Sequence, residues 1–173
     1  MIIQQDTRQK KQHHTHKEQW FMAHGVKIVS SKMLVGDYMI PSDGSISVDT
    51  KKDCSELYSN LITQHDRFKS ECELAQECGI QLYILVENEN GIKCIDDILK
   101  WKNPQYIVWL SKQRRGIKCK EPVKNLQLLK IMKTMESRYG VKFVFCSPYE
   151  SPRKILSLLG VNYEEMEKIV STA

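Results

Sequence analysis

Apolar residues recur along this chain with two periods, every second position in some segments and every third to fourth in others. Met1 to Gln5 reads as a short strand ending at Asp6, and a polar stretch from Thr7 to His16 leads into a helix over Lys17 to His24, closed by Gly25. Val26 to Ser30 is expected to be a strand, and Lys32 to Ile40 the next, with Leu34 and Tyr38 alternating around Gly36. Pro41-Ser42-Asp43-Gly44 is a hairpin signal, because Asp-Gly suits the positive backbone angles of a tight turn. Ser45 to Lys51 returns, with Ile46 and Val48 on one side and Ser47, Asp49 and Lys51 on the other. Helical spacing follows over Asp53 to Ile62 and over Asp66 to Cys78, which Gly79 stops. Ile80 to Val86 is a nearly continuous apolar run, as in a strand covered on both faces. Short helices are predicted at Ile95 to Trp101 and Tyr106 to Leu110, then a basic loop over Lys112 to Lys124 and a long amphipathic helix over Leu126 to Tyr139. Val141 to Phe145 is a last strand, and Pro152 to Leu159 and Glu164 to Val170 are terminal helices. The order of elements predicts an α/β fold, a central mixed β-sheet flanked by helices.

Composition fits that picture. The chain has 173 residues, 41% of them hydrophobic, enough for one domain with its own core and too few for two of ordinary size. No run reaches the roughly 18 apolar residues of a membrane span, and Met1-Ile2-Ile3-Gln4-Gln5-Asp6 lacks the shape of a signal peptide. A soluble, cytoplasmic protein without membrane association is expected. The six cysteines contain no Cys-x-x-Cys pair, so reduced, partly buried thiols are expected. A formal net charge of +5 favours a polyanionic partner only mildly. Its distribution says more, since Lys10-Lys11, Lys51-Lys52 and Lys112-Gln113-Arg114-Arg115 form local clusters, the last followed by Lys118, Lys120 and Lys124.

The candidate chemistry lies in Asp49-Thr50-Lys51. Residues i and i+2 of a strand share a face, so Asp49 and Lys51 are neighbours. The preceding strand supplies Asp37, which the hairpin can place beside Asp49 to share a cation. Phosphodiester hydrolysis needs such a group: a hard divalent ion on carboxylate oxygens neutralises the phosphate and acidifies a water, and a lysine orients that water or stabilises developing charge. The Thr50 carbonyl is a natural further ligand. A lone Asp-x-Lys pair is more often a surface ion pair worth ~0–1 kcal/mol. The second acid on a hairpin partner and the helices that follow shift the balance toward a nuclease.

Gly36-Asp37-Tyr38, Val48-Asp49-Thr50-Lys51-Lys52, His65-Asp66-Arg67-Phe68 and Leu82-Tyr83-Ile84-Leu85-Val86-Glu87 together resemble the XPF/Mus-type structure-specific nuclease domain of the PD-(D/E)xK superfamily, in the short form found in phages and prophages. Asp6-Thr7-Arg8 resembles that family's first-strand Val-Asp-x-Arg-Glu segment. The resemblance covers about residues 1–90. It implies a single nuclease domain over 1–173, with a restriction-endonuclease-like catalytic core over 1–90 and a C-terminal helical extension over 91–173. It further implies Asp37 and Asp49 as metal ligands, Lys51 as the catalytic lysine, and Asp6 near the metal through a water. Arg8, Lys52, Asp66 and Arg67 would support the site or contact DNA. The implied protein is a Mg2+- or Mn2+-dependent endodeoxyribonuclease acting on flaps, forks or junctions, a homodimer paired through its C-terminal helices, in a bacterial or phage-infected cell, with a role in DNA repair or recombination. Three positions depart from the family pattern: Gln9 replaces a glutamate, Thr50 an arginine and Ser55 an aspartate, the last flanked by Asp53 and Glu56. No tandem helix-hairpin-helix module is visible in 104–173. The losses motivate an alternative, a non-catalytic DNA-binding or scaffold subunit that keeps the fold.

Other residues carry weaker signals. His13, His14 and His16 lack a spaced acid or cysteine partner and read as a solvated loop or helix start rather than a metal site. His65 caps a helix, meets DNA or is plain surface, and Glu87, near the expected active edge, either helps the metal shell or is an ordinary strand-end polar residue. Arg114, Arg115, Lys118 and Lys120 either contact DNA backbone or form a solvated surface. Trp101, Tyr106 and Trp109 read as core or interface, and Leu128, Leu129, Met132 and Met135 as core.

Overall fold

A computed structural model describes residues 1–8 and 14–162. The basic pair Lys10-Lys11, Gln9, His13 and the predicted helix at Glu164 to Val170 lie outside the described residues. Six strands, β1 (Ile2–Asp6), β2 (Lys27–Ser31), β3 (Tyr38–Met39), β4 (Ile46–Lys51), β5 (Gln81–Glu87) and β6 (Lys142–Cys146), form one sheet in the order β2-β1-β3-β4-β5-β6. β1 pairs parallel with β2 and antiparallel with β3, β3 antiparallel with β4, and β4, β5 and β6 run parallel. The sheet is therefore mixed, and its parallel half is joined by helices, as parallel neighbours require.

The helices are α1 (Thr15–Ala23), α2 (Cys54–Tyr58), α3 (His65–Glu77), α4 (Pro104–Arg114), α5 (Asn125–Tyr139) and α6 (Ser151–Leu158). Two apolar clusters, one on each face of the sheet, hold the layers together. One joins Leu82, Ile84, Val86, Phe143 and Phe145 to α2, α3 and α5. The other joins Ile3, Tyr38, Val48 and Leu85 to α1 and α6. Each large side chain such as Phe68, fully buried, contributes about 1.5–3 kcal/mol. β4 is covered on both faces, so Asp49 and Lys51 are buried although they alternate with apolar residues.

Five local expectations change. The strand expected over 32–40 contracts to Tyr38–Met39, because Gly36 adopts φ +69° and turns the chain. The hairpin is not a two-residue turn: Asp43 and Gly44 both donate backbone N–H to the Ile40 carbonyl, at 3.1 and 3.0 Å, and only Gly44 takes a positive φ. The helix expected over 53–62 splits into α2 and a π-helical turn, Ser59–Thr63. The predicted helix at 95–101 is a 3-10 segment, Ile95–Lys100. The basic loop begins later than expected, since Lys112 and Arg114 belong to α4, which starts two residues earlier and ends four residues later than its apolar centre suggested; its Asn103 cap and Pro104 set the start. No described helix is long and apolar enough to cross a membrane.

Candidate active site

The register of the sheet brings the acids together. Tyr38 pairs with Val48 in the antiparallel β3–β4 ladder, so Asp37 falls opposite Asp49, and opposite residues share a face. Asp37 is pinned at both ends of its backbone: its N–H donates to the Val48 carbonyl at 2.9 Å and its carbonyl accepts from Asp6 N–H at 3.0 Å. Its Oδ2 accepts from the Thr50 backbone N–H at 2.8 Å and the Thr50 hydroxyl at 2.6 Å. Thr50, where the family resemblance expects an arginine, thus orients Asp37.

Asp49 and Lys51 point to the α3 side of the sheet. Lys51 Nζ lies 2.5 Å from Asp49 Oδ2 and 5.7 Å from the centre of the Phe68 ring. Apart from this ammonium, no donor among the described residues makes a hydrogen bond to the buried Asp49 Oδ2. Burial pushes the Asp49 carboxyl up to about 8, with Asp37 and Glu71 adding to the rise against the opposing pull of Lys51. Burial lowers Lys51, yet Asp49, Asp37 and Glu71 outweigh it and raise the ammonium pKa. The Asp49 rise comes chiefly from burial, and the Lys51 rise from the carboxylates around it.

These residues line one cleft of about 830 Å3, together with Asp6, Arg8, Gly36, Lys52, Arg67 and Glu71. Asp6 is buried, and burial opposes its charge, but the Arg8 guanidinium and backbone N–H hold its carboxyl below the usual range. Arg8 also donates to the Met33 carbonyl at 2.8 Å. Lys52 presents its side chain to solvent while its N–H donates to Glu56 Oε2 at 2.8 Å. Asp53 accepts from Glu56 N–H at 2.7 Å, so the two acids flanking Ser55 form a helix cap. Arg67 reaches Asn60 Oδ1 at 3.3 Å.

Not every candidate converges. Asp66 is exposed and borders a separate hollow between α3 and α5, with His65, Lys69 and Arg138. His65 accepts or donates locally, its Nδ1 3.1 Å from the Leu61 carbonyl. Arg114, Arg115 and Lys118 are exposed, and none lines the cleft. Glu87 is buried in an ion pair with Lys17 at 2.5 Å and accepts from Ser151 Oγ at 2.7 Å, tying α1, β5 and α6 together.

Three cleft residues escaped the sequence reading. Glu71 accepts from Gly36 N–H at 3.1 Å and so clamps the turn that carries Asp37. It lies on the helical face Arg67, Ser70, Glu71, Leu74, all lining the cleft at i, i+3, i+4 and i+7, a spacing that could have revealed it. His14 was expected in solvent but is buried, its Nδ1 2.7 Å from the Tyr38 hydroxyl. Lys17 is fully buried. Neither had a sequence signal, because each comes from the far side of the sheet through a polar segment.

Among the described residues no three His, Cys, Asp or Glu side chains stand in a ready cation cage. The donor set nevertheless fits a hard divalent ion. Asp49 Oδ2 is a buried oxygen with only the Lys51 ammonium beside it among the described residues, Asp37 stands opposite, and an ion there would relieve the excess of negative charge.

No family model matches the sequence, and no curated protein matches it. The fold does have solved counterparts. XPF from Aeropyrum pernix in complex with DNA superposes with a TM-score of 0.58 and 16% identity, over 92% of this chain and 63% of that one. XPF from the same organism without DNA gives 0.56 and 16%, over 92% and 60%. This chain spans about three fifths of the length of those proteins and shares their fold.

Proposed function

We propose that this protein is a divalent-metal-dependent endonuclease acting on branched or otherwise structured DNA. The observation that carries the reading is the convergence of Asp37, Asp49 and Lys51 in one cleft, with a buried Asp49 oxygen that has no donor beside it among the described residues other than Lys51. Asp37, Asp49 and the Thr50 carbonyl would hold Mg2+ or Mn2+, with Asp6 acting through a water. The ion, when bound, supplies charge neutralisation at the phosphate and a more acidic water.

The chain's own residues do the rest. Lys51, held among three carboxylates and so firmly protonated, donates to the attacking water or to the oxygen that gains charge on phosphorus. Thr50 keeps Asp37 aimed, and Glu71 fixes the Gly36 turn. Arg8, Lys52 and Arg67 at the cleft wall meet flanking phosphates. Arg114, Arg115 and Lys118 extend the contact along the duplex, and their exposure supports that role. The structured substrate is proposed because the solved counterpart of this fold is an XPF bound to DNA. Pairing of two copies through the C-terminal helices is supported by α4, which buries none of its residues and exposes Ile107, Val108 and Leu110.

The test is incubation with labelled flap, fork, junction and linear duplex DNA in Mg2+ and in EDTA, beside Asp49→Asn. Cleavage of a branched substrate that needs the cation and disappears in Asp49→Asn supports the reading. Binding without cleavage by either protein, indifferent to the cation, favours a scaffold subunit instead. Light scattering of the purified protein, with Ile107→Glu as control, tests the pairing.

A further inference from the structure

A second hollow, of about 540 Å3, opens between the 3-10 segment, α4 and the start of α5, away from the residues of the cleft. Its size falls within the roughly 300–1,000 Å3 of small-ligand sites. Trp101, Tyr106 and Ile107 supply apolar walls, and Lys102 and Lys124 stand at its edge. No carboxylate lines it. Both lysines are exposed, and neither is paired with an acid among the described residues.

Asn103 gives the hollow its direction. It is 95% buried, since only 5% of its surface is exposed. Its Oδ1 caps α4 by accepting from Gln105 N–H at 3.0 Å, which fixes the amide so that Nδ2 is the end left over. Among the described residues that buried nitrogen has no hydrogen-bond partner. An orphaned buried amide costs about 1–3 kcal/mol, so an acceptor that reaches it is favoured. The other polar groups nearby are already engaged: Asn125 Nδ2 donates to the Trp101 carbonyl at 2.6 Å, and the Tyr106 hydroxyl to the Pro122 carbonyl at 3.0 Å.

A matching ligand has a flat apolar body for the aromatic walls, a hydrogen-bond acceptor for Asn103 Nδ2 and an anionic group for the two lysines. A nucleotide unites all three, through its base face, its ring nitrogens or carbonyls, and its phosphate. We propose that this hollow binds a single nucleotide. The nucleotide is either free or an unpaired residue of a DNA strand, and only the second source rests on the DNA reading given above.

Side-chain amide and indole NMR signals of Asn103 and Trp101 report binding directly. The probes are deoxynucleoside monophosphates, the corresponding nucleosides, inorganic phosphate, and a short single-stranded oligonucleotide with and without one abasic position. The expected result is saturable shifts of both signals with a monophosphate, weaker with the nucleoside and absent with phosphate alone. Asn103→Asp keeps the helix cap but turns the donor into an acceptor, and it should weaken binding about tenfold or more, as should Lys102→Ala with Lys124→Ala. An oligonucleotide that binds more tightly than the monophosphate, and loses that gain at the abasic position, assigns the pocket to a strand; equal or weaker binding assigns it to free nucleotide. Unshifted Asn103 and Trp101 signals at millimolar monophosphate and oligonucleotide overturn the proposal, as does an equal response to inorganic phosphate. A protein that cuts no DNA yet shows the monophosphate shifts would refute the nuclease reading and leave this pocket standing.

Discussion

Replacing Gly36 by alanine should damage both stability and the site. Gly36 has φ +69°, a backbone angle that costs an L-residue about 1–2 kcal/mol. A Cβ there would overlap Ser47 Oγ and stand 3.3 Å from Ser47 Cβ and the Val48 carbonyl oxygen. Ser47 is fully buried, and its hydroxyl donates to the Val35 carbonyl at 2.8 Å. Pushing that hydroxyl off its acceptor leaves a buried polar group unsatisfied, another 1–3 kcal/mol or so. The sum is roughly 2–5 kcal/mol, a fall in Tm of roughly 4–20 °C for a domain of this size. Calorimetry of Gly36→Ala, Ser47→Ala and the double variant separates the terms. Ser47→Ala removes the overlap, so the double variant should carry only the backbone cost beyond Ser47→Ala itself. Losses that add to within about 0.5 kcal/mol would refute the overlap as the cause. Because Asp37 follows Gly36, the same variant should weaken Mn2+ binding more than its stability loss explains, which titration calorimetry measures well below the Tm.

Cys54, Cys72 and Cys146 are buried, and burial pushes each thiol up to about 12, whereas Cys78 and Cys94 are exposed. A disulfide reagent at neutral pH should label Cys78 and Cys94 quickly and the three buried thiols only in denaturant, as peptide mapping would reveal. Without a divalent ion, stability should decline with rising pH: Asp49 holds its proton more tightly folded than unfolded, so its contribution is complete below about pH 4 and is lost as pH climbs through about 8. Thermal melts of Asp49→Asn across that window should be flatter, and a slope equal to wild type would exclude Asp49 as its source. Lys17→Met should cost about 3–5 kcal/mol by stranding the buried Glu87 carboxylate, while Lys17→Met with Glu87→Leu should recover most of it in urea melts. A double variant as unstable as the single would show that packing, not the unpaired charge, sets the loss.

How much of this was legible in the chain follows from what each signal measures. β5 and β6 declared themselves through apolar runs, because burial on both faces demands such runs, and β4 through its alternation after the hairpin signal; all three were placed within a residue or two. α5 was equally plain, with Leu128, Leu129, Met132 and Met135 on one face and Gly140 at φ +70° closing it. β3 was overextended, since Leu34 alternates with Tyr38 in the sequence but the turn at Gly36 leaves Leu34 exposed. Alternation records which residues could share a face and does not see a backbone that bends between them. The π-helical turn after α2 had no signature either, as its Leu61 and Ile62 suit an α-helix equally well.

The site divides along the same line. The pairing of Asp37 with Asp49 was only half legible: the hairpin signal put the two strands side by side, but a two-residue Asp43-Gly44 turn would set Asp37 opposite Thr50, and the different turn observed shifts the register by one residue to Asp49. Glu71 needed the three-dimensional fact that α3 lies against that face of the sheet, and His14 and Lys17 needed the whole fold, being polar residues whose burial no local pattern announces. The pattern also explains why this place and not another should carry chemistry. A sequence selected for stability alone has little reason to keep a carboxylate at 5% exposure among further carboxylates, since an apolar side chain of similar volume would remove the cost. Elsewhere the buried charges are matched, Lys17 with Glu87 and Asp6 with Arg8. Asp49 combines deep burial, a single ammonium beside it, and two further carboxylates raising its proton affinity. A buried charge imbalance of this kind is what a functional site is expected to carry, and a hard divalent ion is the ligand that would turn the imbalance into binding.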